Sequence, residues 1–134
     1  MHLVQLIYSS RPFGYDQATL NGILVTARGR NSAAGVTGAL ICRADLYLQL
    51  LEGPEPAVAE IYKSIIRDDR HLDVTLRSDG PVTERLFGEW DMLDDPARGW
   101  MWDRDAVADG VLDHASAQDF VSVFRRLRRE IPAG

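Results

Sequence analysis

The 134-residue sequence has a single cysteine, Cys42, which excludes an internal disulfide framework and points to a reducing compartment. Its three histidines, His2, His71 and His114, lie far apart, and neither CxxC nor HExxH occurs, so no metal site is expected. No apolar stretch approaches the roughly 20 residues needed to span a bilayer. The start lacks a basic segment followed by an apolar one, so no secretory leader or membrane partner is expected, and the expected location is cytoplasmic. GxGxxG is absent, and nothing resembles a nicotinamide site. Positive charge is in the minority: 15 Lys and Arg against 20 Asp and Glu, a formal net charge of −5 that argues against nucleic acid as a partner. The exception is Arg125, Arg126, Arg128 and Arg129, near the end of a predicted helix, where cations suit the helix dipole; they read as a solvated face.

What is present is an ordinary globular composition, 46% apolar and 26% charged, sized for one domain with one core. His2 to Ser9 is apolar on both parities and reads as a strand covered on both faces. Pro12, Phe13 and Gly14 break it, and Asp16 is a candidate N-cap. Leu20, Ile23, Leu24 and Ala27 define a first helix, with Gly29 and Asn31 as candidate helix-ending residues. Val36 to Cys42 and Leu46 to Leu51 read as strands joined by a hairpin turn. A second helix carries Val58, Ile61, Tyr62, Ile65 and Ile66 on one face and ends near Asp68 to His71. Val74 to Leu76 and Phe87 to Leu93 are two further strands, linked through Gly80-Pro81. The order βαββαββ predicts an α+β ferredoxin-like sandwich, a five-stranded mixed sheet with both helices on one face. In the tail, Ser116 to Asp119 form a capping-box-like start. Phe120, Val123, Phe124, Leu127 and Ile131 then share a helical face before Pro132, so C-terminal helices are expected to cover the other sheet face. The segment Asp94 to Asp105, with Trp100 and Trp102, reads as a loop or a short helix plugging an edge. The expected organisation is a core over residues 1–95 and a helical cap over residues 96–134 of the same domain.

Three polar residues stand in apolar settings. Gln49 lies inside the third strand between Leu48 and Leu50, so its amide must find partners or cost a few kcal/mol. Tyr8 shares a parity with Val4 and Leu6, which places its ring inside and demands a partner for its hydroxyl. Asn31 ends the first helix. Physical reading alone leaves two accounts open: a structural hydrogen bonder, a core tyrosine and a C-cap, or parts of one site.

The segments RNSAAGVTGALI (Arg30 to Ile41), YLQLLEG (Tyr47 to Gly53), IIRDDRH (Ile65 to His71) and GEWDM (Gly88 to Met92), in this order, resemble the BLUF family of flavin-binding blue-light photoreceptors. The Tyr8 and Ser10 context matches too, and the resemblance covers about residues 2 to 93. It implies a flavin cofactor, FAD, with FMN and riboflavin sharing the same ring and ribityl contacts. It also implies that Asn31 bonds the polar edge of the isoalloxazine ring and that Gln49 sits between the ring and Tyr8. Tyr8 is then the light-driven electron and proton donor, and Asp68, Arg70 and His71 serve the carbonyl end and ribityl side. Arg30 occupies a position that contacts the cofactor. Ile23 and Ile65, on the apolar faces of the two helices, would wall the ring; otherwise they simply touch each other in the core. Trp90 and Met92, sharing a parity on the last strand, are candidate signal transmitters or plain core fillers.

The resemblance implies a sensor, not an enzyme. Light-driven transfer from Tyr8 through Gln49 leaves the Gln49 amide rotated or tautomerised, its bond to the ring strengthened and the absorption shifted to the red, until the state relaxes in the dark. No catalytic domain follows in the sequence, so output is expected through a downstream protein or self-association as a homo-oligomer. The rival readings are a ferredoxin-like small-ligand-binding regulatory module without photochemistry and an acylphosphatase-type hydrolase. The second is disfavoured because Pro12 removes a backbone donor next to Arg11 and no glycine-rich cradle follows.

Overall fold

The segment LYLQLLEGP is buried on both parities from Leu46 to Gly53, as befits the middle of a covered sheet. In a computed structural model describing residues 2–132, that is where it lies. Met1, Ala133 and Gly134, the outer ends of the expected 1–95 and 96–134 segments, fall outside the described residues. The strands are β1 (Leu3–Pro12), β2 (Thr37–Arg43), β3 (Leu46–Pro54), β4 (His71–Val82) and β5 (Leu93–Pro96). Their spatial order is β4-β1-β3-β2-β5. Neighbours pair antiparallel except β2 and β5, which run parallel, so the sheet is mixed. This is the expected ferredoxin-like α+β sandwich with one added strand.

Helices α1 (Gln17–Ala34) and α2 (Glu55–Ile66) cover one face. They pack Leu20, Ile23, Leu24, Ala27, Val58, Ile61 and Ile65 against Val4, Leu6, Tyr8, Leu40, Tyr47 and Leu51 of the sheet. The opposite parity, Ile7, Ala39, Ile41, Leu48 and Leu50, meets α5 (Ala117–Glu130) through Phe120, Phe124 and Leu127. Two short helices, α3 (Arg104–Ala108) and α4 (Val111–His114), precede it. The caps form where the sequence offers them. Asp16 accepts from the Thr19 N–H, and Ser116 and Asp119 form a reciprocal capping box.

Several boundaries differ from the sequence reading. β1 continues through Ser10 and Arg11 to Pro12, whose missing N–H is tolerated at the strand's end, where it pairs with His71. α1 runs past Gly29 and Asn31 to Ala34, because Gly35, at φ 71°, supplies the left-handed C-cap. α2 ends at Ile66, which is 54% exposed and off the apolar face. β4 runs on through Gly80-Pro81, where the edge of the sheet accommodates a proline. The last strand is Leu93–Pro96, not Phe87 to Leu93. Residues 83–92 form an irregular strap instead, and 94–105 supply that strand, a turn and the buried Met101. Two-sided burial of Phe87 to Leu93 mimicked a strand, since the strap also sends side chains to both faces of the sheet.

Phe124 is fully buried and meets Phe87 edge-on, with ring centroids 6.2 Å apart. Phe124→Ala is expected to destabilise the fold by about 3–5 kcal/mol, measured from urea denaturation midpoints.

Candidate functional site

The register of β1 against β3 puts Tyr8 directly opposite Gln49, both facing the helices. The Tyr8 hydroxyl, fully buried, donates to Gln49 Oε1. The other end of the amide, Nε2, donates to Met92 Sδ at 3.4 Å. Gln49 is thereby held by a strong donor on one side and a weak thioether acceptor on the other. Burial drives the Tyr8 phenol pKa far up, only partly offset by the Arg30 guanidinium, so the phenol keeps its proton throughout the physiological range. Tyr62 and His71 flank its ring, with centroids 5.7 and 6.0 Å away.

Above this amide a narrow cleft opens between α1 and α2. Ile23, Thr26, Ala27 and Arg30 line it from α1, Ile65 from α2, and Gln49 forms part of its floor. Asp68, Arg70 and His71, from the turn leading into β4, close one end. Asp68 accepts a bidentate pair from Arg70, at 2.6 Å for the closest contact, which holds its carboxyl below the usual carboxylate range. The Arg70 guanidinium reaches over to α1, where a Cβ added to Gly22 would lie 3.5 Å from it.

Asn31 and Arg30 test what the cleft is built for. Asn31 is fully buried in the last turns of α1, not a C-cap. Its Nδ2 donates to the Asp91 carbonyl at 2.8 Å, while its Oδ1 is buried without a partner. Arg30 Nε is likewise buried and unpaired. A buried acceptor and a buried donor without partners carry a desolvation cost that a ligand bearing both an N–H and a carbonyl can remove. Apolar walls and a two-signed polar rim fit the flat ring of a flavin.

Of the residues singled out in the sequence, the fold gathers Ile23, Arg30, Gln49, Ile65, Asp68, Arg70 and His71 at one cleft, with Tyr8 bonded to Gln49 and Asn31 buried nearby on α1. It separates Trp90 from Met92. Off any strand, Met92 is buried among the α1–α2 side chains, whereas Trp90 lies on the α5 face, 6.2 Å from Phe87 and under Arg128. The sequence reading missed Glu52, fully buried on β3, whose carboxylate accepts the backbone N–H groups of Leu86 and Phe87. An acidic residue closing an otherwise apolar central strand was the available signal, because such a carboxylate must be paired.

His71 is buried, 2.8 Å from Ser10 Oγ through Nδ1, and burial pushes its pKa down to about 4. Between pH 6.5 and about 4 an unfolded chain protonates this ring while the folded chain does not. Folding therefore loses stability as the pH falls through that window, by up to about 3 kcal/mol from this residue. His71→Gln is expected to flatten the fall, measured as the difference in denaturation free energy between wild type and variant at pH 7 and pH 4.

The family model described as "Sensors of blue-light using FAD" (BLUF) matches residues 3–93, more than half of the chain. Photoactivated adenylate cyclase subunit beta of Euglena gracilis is 37% identical over 89 residues, which are 66% of this chain and 10% of that protein. The blue light- and temperature-regulated antirepressor BluF of Escherichia coli (strain K12) is 34% identical over 92 residues, 69% of this chain and 22% of that protein. The chain thus spans only a small part of these curated relatives. Over nearly its whole length it superimposes on the dark-state structure of BlrB, a BLUF protein, with a TM-score of 0.81 at 29% identity, covering 97% of this chain and 98% of that one. No helix of the described residues is long and apolar enough to cross a membrane. The chain belongs to the BLUF family, described as sensors of blue light using FAD.

Proposed function

We propose that this chain senses blue light through the Gln49 amide, which exchanges between two hydrogen-bonded arrangements, and passes the change to a partner protein or to a second copy of itself. The observation that carries this reading is the buried series Tyr8 hydroxyl, Gln49 amide, Met92 sulfur, bordering the cleft between α1 and α2. In our reading Ile23 and Ile65 wall the cofactor and Asn31 and Arg30 meet its polar edge. Asp68, Arg70 and His71, which close one end of the cleft, serve the ring's carbonyl end and the ribityl side. Bound FAD supplies blue-light absorption and an electron-accepting ring.

Tyr8 is the electron and proton donor in this scheme, and its proton leaves along the bond to Gln49. Burial makes the phenolate costly in the dark, so the proton moves only when the electron does. Rotation of the Gln49 amide exchanges which end faces Tyr8 and which faces Met92, while tautomerisation changes which end donates. A thioether accepts but does not donate, so the two arrangements differ in energy and only one is the resting state. Light then shifts a population between them.

Output is assigned to Trp90 and Met92, which stand at opposite faces of the sheet on one strap, and to residues 96–134 as a cap on the 1–95 core. A protein partner or homo-oligomer suits the net charge of −5 better than nucleic acid or an anionic membrane surface. Cytoplasmic location suits Cys42, a free and buried thiol.

Purified with FAD, the protein is expected to show a flavin band that moves to the red under blue light and returns in the dark. Tyr8→Phe should retain FAD and lose the shift, at a stability cost of about 1–3 kcal/mol for the unpaired Gln49 oxygen. Gln49→Ala should likewise retain FAD without switching. A normal shift in either variant removes that residue from the scheme. Asn31→Ala is expected to weaken FAD retention by roughly five- to tenfold in an equilibrium dialysis titration, with unchanged affinity counting against its contact.

A further inference from the structure

Between β4 and β5 the strap, residues 83–92, passes from one face of the sheet to the other without regular structure. Its far end is tied to β2 and α1. Gly38 N–H donates to the Trp90 carbonyl at 3.2 Å, Asn31 Nδ2 to that of Asp91, and Arg28 Nε to that of Met92 at 3.3 Å. Its near end is held by Glu52. Oε2 accepts from the Leu86 N–H at 2.8 Å, and Oε1 accepts from the Phe87 N–H and, at 3.4 Å, from the Thr37 hydroxyl. Arg85 closes the same corner, donating to Thr37 Oγ1 at 3.0 Å, to the Glu52 carbonyl at 3.3 Å and to the Gly35 carbonyl at 2.7 Å.

A fully buried carboxylate is a costly way to hold a loop unless the loop's position matters. It is also the group suited to this task. Two adjacent backbone N–H groups need an acceptor-only partner, and a neutral amide offers one oxygen and one competing donor. Glu52 and Gln49 stand on the same strand with opposite parity, so one strand fixes both the amide and the start of the strap that carries Met92 to it.

We propose that Glu52 is a positioning residue for the light switch: its carboxylate fixes the strap so that the Met92 sulfur meets the Gln49 amide, and so sets how fast the resting arrangement returns. This role rests on the reading that Gln49 is the switching group. Glu52 touches neither Gln49 nor the cleft, and it acts through residues 86–92.

The test uses the full FAD-loaded chain. In the dark, the Leu86 and Phe87 amides of the wild type are expected to exchange with solvent at least about tenfold more slowly than that of Gly88. Glu52→Gln, nearly isosteric, should erase that protection and change the dark-recovery rate by at least about threefold, with FAD content retained. In a Met92→Leu background the same substitution should leave the recovery rate nearly unmoved, because the route to Gln49 is already cut. Thr37→Val, which removes only the hydroxyl shared by Glu52 and Arg85, is the milder variant should Glu52→Gln fail to fold; it is expected to change recovery in the same way. Wild-type recovery in both folded variants overturns the proposal, as does an equal change in the Met92→Leu background, which would mark a merely structural role. A wild type that never shifts to the red removes the sensor reading and this role with it, and the dark exchange then reports whether the anchor exists on its own.

Discussion

A primary amide placed in the middle of a hydrocarbon-covered sheet must be hydrogen-bonded, and nearly everything else about this site follows from how that is done. Gln49 has four hydrogen-bonding positions to satisfy besides its backbone, and the sheet itself offers none, since the strand's main-chain groups are spent on β1 and β2. Tyr8 satisfies one because antiparallel register sets it opposite on the same face. Met92 takes another, weakly, from outside the sheet. The rest of the amide's capacity faces the cleft between the helices. A group whose protein partners are one strong and one weak is poised to respond to a third.

The sheet around that amide is stiff. Both faces of β1, β2 and β3 are packed, so a displacement there must move the α1–α2 layer and the α5 layer together. The strap of residues 83–92 joins the layers without passing through the packed strands: its Met92 lies with the cleft, and its Phe87 and Trp90 lie with α5. It sits toward the margin of the sheet, where pairing is incomplete and movement is least costly. Arg77 on β4 works within the α5 layer alone, bonding Ser9 Oγ at 2.9 Å and holding α4 through the Leu112 carbonyl at 3.2 Å and Asp113 at 3.0 Å.

Legibility in the sequence followed burial. Strands β1 to β3 and helices α1, α2 and α5 could be read because each buries a regular stripe, and Tyr8 and Gln49 stood out as polar residues inside those stripes. The candidate site was legible where it sits on such elements. It was illegible where the chain is irregular. The strap looked like a strand because Phe87 and Met92 are buried, yet its backbone is held by a carboxylate, an asparagine, an arginine and a single glycine contact instead of a ladder. Parity arguments therefore placed Trp90 and Met92 on one face, and the fold puts them on two. Asn31 looked like a helix end because the true stop, Gly35, lies four residues on and only its left-handed backbone reveals it.

The glycine contact explains why the strap can lie so close. Gly38 donates to the Trp90 carbonyl from the start of β2, and a Cβ there would come within 2.0 Å of the Leu50 carbonyl oxygen. No other residue permits β2 to pass so near β3 while offering its N–H sideways to the strap. The Thr-Gly and Glu-Gly pairs of the two central strands are thus parts of one arrangement. Thr37 and Glu52, cross-strand partners, bind the strap's first half, Gly38 donates to its second, and a Cβ added to Gly53, at φ 158°, would lie 3.0 Å from the Gly35 carbonyl oxygen that Arg85 also uses. Motifs that look like punctuation in the sequence are, in the fold, the fittings that carry an irregular loop to the buried Gln49 amide.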